Sequence, residues 1–204
     1  HGRSKVKASG FSMRTMGPEG LTLVKYAPSL DNIDSALSDS EVTKVLMESI
    51  AGEGTRPSTE TFMHAWLLKL PGVEFVGHCH PTQLLSLMCL DVAESLCDVR
   101  LFPDEIVCCG PATAWVPYVD PGLILGSAVR DSVLRFVEKH GQPPRILWMQ
   151  NHGIIALGAN AQEVKNALLM GVKAARTYLG ILSSGQKMVP LSSENVNRIH
   201  SRPD

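Results

Sequence analysis

His78, Cys79 and His80 close an apolar run and are followed at once by Pro81, and this short stretch restricts the chain more than any other. In an extended strand alternate side chains share a face, so His78 and His80 project together while Cys79 points to the other side, into packing. Pro81 ends the strand. Two imidazoles beside Phe75, Val76 and Gly77 are hard to bury unless something binds their lone pairs. A third imidazole from another strand end would complete a three-nitrogen cradle with open positions, which is how a catalytic divalent metal is held. His152, within Asn151-His152-Gly153, is a candidate for that third ligand, although the tripeptide taken alone also reads as a plain turn.

Turn residues and apolar periodicity divide the remainder. Short strands are expected over Lys5–Ala8 and Gly20–Val24, separated by the turn chemistry of Gly17-Pro18-Glu19-Gly20. Residues 29–40 read as a polar loop ending in Ser38-Asp39-Ser40-Glu41, a capping box, after which Val42, Val45, Leu46 and Ile50 keep helical spacing. The run from Gly52 to Pro57 stops that helix, and Ser58-Thr59-Glu60 opens another whose residues 62–68 are apolar nearly all round and therefore buried. Past Pro71-Gly72, the pattern predicts a strand over Glu74–His80, a short helix over Thr82–Leu90 and a strand over Glu105–Cys109. A long helix striped by Leu125, Val129, Val133 and Phe136 then runs to His140-Gly141. Arg145–Gln150 and Ile154–Leu157 read as strands, and Asn160 with Glu163 caps a last long helix striped by Val164, Ala167, Gly171, Ala175 and Tyr178. With no repeat or linker, one α/β domain is expected, and the alternation alone predicts a parallel sheet.

Composition matters chiefly for what it excludes. The chain has 204 residues, 44% of them hydrophobic, enough to bury a sizeable core, and a net charge of −1 that offers no Lys/Arg footprint. No nucleic acid and no membrane surface is expected as a partner. Apolar stretches are interrupted before they could span a bilayer, and the opening residues lack a signal-peptide apolar region, so a soluble, cytoplasmic protein is expected. The five cysteines are odd in number and scattered through apolar segments, which suits reduced thiols; Cys108 and Cys109 are adjacent, a poor geometry for a disulfide.

Beyond the histidines, Glu60 stands at the head of the buried helix, where a carboxylate also serves simply to complement the helix dipole. His64 follows four residues later on the same face, so Glu60 is a candidate acid/base facing a pocket. Ser9-Gly10 after a strand and Ser58-Thr59 at a helix start offer hydroxyls and backbone N–H groups to a phosphate, with no Arg cluster competing; singly, each also reads as an ordinary turn or cap.

Together, Arg56-Pro57-Ser58-Thr59-Glu60-Thr61-Phe62-Met63-His64, then His78-Cys79-His80-Pro81, then Asn151-His152-Gly153-Ile154-Ile155-Ala156-Leu157-Gly158 resemble the class II aldolase/adducin family over about Val6 to Leu182. The stretch from Val116 to Gly122 is similar to the aldolase half of two-domain aldolase–dehydrogenases. The resemblance implies a three-layer α/β/α fold around a mainly antiparallel central sheet, formed as a single domain over residues 1–204. It implies Zn²⁺, or another divalent metal, on His78, His80 and His152, with Glu60 as acid/base and Ser9, Gly10, Ser58 and Thr59 binding the substrate phosphate. It further implies a homotetramer in which a neighbour's tyrosine completes the chemistry, with Tyr118 as the local candidate. A Gly-Asn-x-Ser phosphate loop that family members carry upstream of the first strand is absent, so the expectation is that the chain lacks its natural N-terminal segment or else that the substrate is gripped differently.

The implied activity is that of a lyase of carbohydrate metabolism, cleaving a ketose phosphate or related hydroxy-carbonyl compound beside its carbonyl. Zinc takes up the charge of the resulting enediolate, and no Schiff-base lysine is needed. The same cradle suits a sugar-phosphate epimerase or dehydratase, and an adducin-like binding protein keeps the fold without the chemistry. A structural zinc site is disfavoured, since CxxC-like ligand spacing is missing.

Overall fold

A computed structural model describes residues 2–12 and 14–202. The chain divides into two compact units, one comprising the residues up to Leu70 with Val119–Asp131, the other Pro71–Tyr118 with the residues from Ser132 onward.

In the first unit, β1 (Arg3–Lys7) and β2 (Leu21–Lys25) pair antiparallel, Arg3 opposite Lys25 and Lys7 opposite Leu21. Residues 32–38 form the expected loop, but residues 29–31 belong to a short helix, α1 (Ala27–Asp31), with Pro28 in its first turn, where the missing N–H is no loss. The capping box forms as expected and starts α2 (Asp39–Glu48): Ser38 N–H donates to the Glu41 carboxylate at 2.8 Å, and the Ser38 hydroxyl accepts from Glu41 N–H at 3.5 Å. In α3 (Thr61–Leu67) Phe62, Met63, Ala65 and Leu67 are all buried.

The second unit is built on a four-stranded sheet of order β3 (Phe75–Cys79), β6 (Gly153–Gly158), β5 (Ile146–Met149), β4 (Ala114–Val116). It is mixed, which corrects both the parallel sheet expected from alternation and the mainly antiparallel one implied by resemblance. The pairs β3–β6 and β6–β5 are antiparallel and β5–β4 is parallel. Connection lengths explain this: three residues link β5 to β6 and permit only a reversal, whereas a helical crossover separates β4 from β5. Its helices are α4 (Thr82–Met88), α5 (Pro103–Cys109), α7 (Ala161–Ser183) and α8 (Ser193–His200), together with the part of α6 (Leu123–His140) from Ser132 onward. The strand expected over Glu105–Cys109 is thus the helix α5. Pro103 sets its first turn, Asp104 and Glu105 complement the dipole, and Gly110 at φ 80° ends it. Helix α8, capped by Ser192, lies beyond the last helix expected.

Strands β5 and β6 are buried on both faces, and their Ile146, Trp148, Ile154 and Ala156 pack with Leu84, Leu87 and Met88 of α4 and Ala174, Ala175 and Tyr178 of α7. Two glycines let α7 approach the sheet. A Cβ on Gly77 would stand 2.5 Å from Val164, and one on Gly171 2.9 Å from Ile154. Cys97 and Cys109 lie in this core, where burial pushes their thiols up to about 12. No helix among the described residues is long and apolar enough to cross a membrane.

Candidate metal and active site

The pleat of β3 does what its spacing requires. His78, opposite Ile155, and His80, just past the strand end, project together with their Nε2 atoms 2.9 Å apart, while Cys79 packs on the core. The third imidazole arrives through the β5–β6 reversal. There Asn151 takes φ 53°, a left-handed conformation that Asn tolerates better than most residues, and His152 N–H donates to the Met149 carbonyl at 3.1 Å. The ring centroids form a near-equilateral triangle, 4.6 Å for His78–His80, 5.2 Å for His78–His152 and 5.0 Å for His80–His152. One nitrogen from each ring lies within 4.8 Å of the others.

This donor set fits a divalent ion. Two imidazole nitrogens about 2.0–2.1 Å from one tetrahedral metal stand roughly 3.3 Å apart, a few tenths of an ångström more than the 2.9 Å separation of His78 and His80. His78 Nδ1 is 2.9 Å from the Ile154 carbonyl, so Nδ1 carries the proton and Nε2 presents its lone pair, the usual way a ligand histidine is oriented. Sequence reasoning missed the part played by Gly153. A Cβ there would stand 2.4 Å from the His80 ring and 2.7 Å from the Cys79 carbonyl, so a side chain is excluded where the rings meet. The apolar run after Asn-His was a signal only for a strand.

Tyr118 also belongs to this unit. The residue is 54% exposed, and its N–H donates to the Gln150 side-chain oxygen at 3.1 Å. The other expected site residues lie in the first unit. Glu60 immediately precedes α3, with its N–H donating to the Ser58 hydroxyl at 3.3 Å and its carbonyl accepting from His64 N–H at 3.1 Å; its carboxylate makes no capping bond. The segments bearing Ser9 and Ser58 are brought together: Ala8 bridges Pro57, Ser9 N–H donates to the Arg56 carbonyl at 2.8 Å, and Ser58 N–H to the Lys7 carbonyl at 3.1 Å. Gly10 takes φ 83°. Thr59 instead lines a cavity of about 560 Å³ with Leu37, Val42, Asp120 and Leu123. The Arg56 guanidinium donates to the Ser9 hydroxyl at 3.1 Å. Forty-seven residues separate the two in sequence, too far for spacing to reveal the contact.

The sequence profile of the Class II Aldolase and Adducin N-terminal domain matches residues 2–179, and the chain belongs to that family. Its fold is similar to solved class II aldolase structures. The N-terminal class II aldolase domain of a conserved protein from Thermoplasma acidophilum is 24% identical, over 86% of this chain and 74% of that one, with TM-score 0.67. An L-fuculose 1-phosphate aldolase is 16% identical, over 98% and 79%, at 0.67. A sugar-phosphate aldolase from Thermotoga maritima is 22% identical, over 89% and 72%, at 0.62. No curated protein sequence matches the chain.

Proposed function

We propose that this protein is a metal-dependent aldehyde-lyase that cleaves a ketose phosphate beside its carbonyl, with Zn²⁺ resident on His78, His80 and His152. The observation that carries the reading is the convergence of three imidazole nitrogens within 4.8 Å of one another, one of them already oriented by a backbone carbonyl. Family membership and the similarity to an L-fuculose 1-phosphate aldolase support it. When bound, the ion supplies Lewis-acid stabilisation of negative charge developing on the substrate oxygens.

The remaining work falls to side chains. As the carbon–carbon bond breaks, its electron pair stays with the carbon next to the carbonyl, and Glu60 delivers a proton to that carbon. The hydroxyl that becomes the aldehyde gives up its proton to the phenolate of Tyr118, contributed across the interface of a homotetramer, and the resulting phenol returns that proton to solvent before the next turnover. Ser9, Gly10, Ser58 and Thr59 hold the phosphate through hydroxyl and N–H groups, and Arg56, hydrogen-bonded to Ser9, adds positive charge.

Zinc-loaded protein is assayed with L-fuculose 1-phosphate and L-rhamnulose 1-phosphate, following dihydroxyacetone phosphate release. Wild type releases it. Glu60→Gln keeps its metal and thermal transition while turnover falls roughly 10²- to 10⁴-fold. Equal turnover in the two proteins rules out the role of Glu60, and conversion to an isomeric or dehydrated phosphate without dihydroxyacetone phosphate replaces the lyase assignment by an epimerase or dehydratase.

A further inference from the structure

The pairing of β4 with β5 continues past the ends of both strands through a single residue. Gln150 donates its backbone N–H to the Val116 carbonyl at 2.9 Å, and its side-chain oxygen accepts the Tyr118 N–H at 3.1 Å. Between those two anchors lies Pro117, which has no N–H of its own to offer. The next residue after Gln150 is Asn151, in its left-handed conformation, and then His152. One side chain therefore fastens the peptide that carries Tyr118 to the peptide that carries an imidazole of the cluster. Tyr118 is 54% exposed, and the backbone bonds at 116–118 hold its main chain.

We infer that Gln150 is a positioning residue whose amide oxygen sets the Tyr118 backbone and through it the placement of the phenol during turnover. The inference rests on the reading of Tyr118 as a proton-transfer group. The two bonds divide the roles of Gln150. Its N–H to Val116 belongs to the backbone and survives any side-chain change, so the His152 turn stays in register. Only the bond to Tyr118 depends on the side chain. An acceptor is required at that point, and an aliphatic side chain of similar size would leave the Tyr118 N–H to water.

Gln150→Leu, Gln150→Glu and Tyr118→Phe are compared with wild type for metal content, exchange of the Tyr118 amide hydrogen by NMR, and cleavage of L-fuculose 1-phosphate. Gln150→Leu is expected to keep its full metal content, to exchange the Tyr118 amide at least about tenfold faster, and to lose roughly ten- to a hundredfold in kcat, with KM moved less than about twofold. Gln150→Glu retains an acceptor oxygen and should restore both amide protection and most of kcat. Unchanged kcat in Gln150→Leu beside a large loss in Tyr118→Phe overturns the positioning role. Unchanged kcat in Tyr118→Phe, or no cleavage by wild type, overturns instead the reading of Tyr118 on which it rests.

Discussion

Arg100 is 1% exposed and Glu105 2%, yet they are not a simple ion pair. The guanidinium is spent mainly on neutral acceptors, with Nε donating to the Gly110 carbonyl at 2.8 Å, one terminal nitrogen to Val99 at 2.8 Å and the other to the Thr113 hydroxyl at 3.1 Å. Glu105 stands 3.8 Å away, accepting from Leu101 N–H at 2.9 Å and from the Tyr178 hydroxyl at 3.4 Å. Burial raises the Glu105 carboxyl above the ordinary glutamate range, with Arg100 and the two hydrogen bonds pulling the other way. A carboxyl raised in the fold contributes stability that is complete below the unfolded value and is lost as pH climbs through the folded one. Glu105→Gln abolishes that titration. The stability advantage of wild type over Glu105→Gln should therefore be largest at acid pH and shrink towards neutrality in urea unfolding. An advantage that grows with pH would mean that pairing with Arg100 outweighs desolvation.

Among elements, the reversal between β5 and β6 has the most consequence. It fixes the antiparallel pairing of the two central strands, delivers His152 and places Gly153 against both other histidines. Sliding past the His80 ring is conceivable for an added methyl group, but the Cys79 carbonyl 2.7 Å away is backbone of β3 and cannot yield without shifting that strand. Gly153→Ala should leave the core of Trp148, Ile154 and Tyr178 folded while displacing the ligand rings. Metal affinity, read by competition with a chromophoric chelator, is expected to weaken about 10- to 100-fold, the scale seen when the support of ligand histidines is disturbed. Undiminished affinity would show that β3 adjusts freely there.

For the whole molecule, the three imidazoles come from β3 and the β5–β6 reversal, so an ion that binds them binds the folded chain and stabilises it by mass action. At a hundredfold excess of free metal over Kd the gain is about 2.7 kcal/mol, equivalent to roughly 5–10 °C in Tm for a chain of this size. Chelation should lower the transition by that amount and added zinc restore it. A Tm indifferent to both would contradict a resident metal. Much of this was legible in the sequence wherever local chemistry decides: the pleat that pairs His78 with His80, the capping box at Ser38, the cap at Asn160, the buried α3 and the stripe of α7. Those signals depend on residues within one or two turns of each other, and their physics is the same in a peptide as in a fold. Helix α5 was hidden because Ile106, Val107 and the two cysteines have strand-like composition, although Pro103-Asp104-Glu105 carried the start signal. What tertiary structure alone decided involves residues far apart in the chain: the mixed sheet, the guanidinium of Arg56 on Ser9, the Gln150 clamp on Tyr118 and the exclusion of a Cβ at Gly153. A backbone pattern repeats at short range and can be read from spacing, whereas a contact between distant segments exists only once the chain has closed the loop between them.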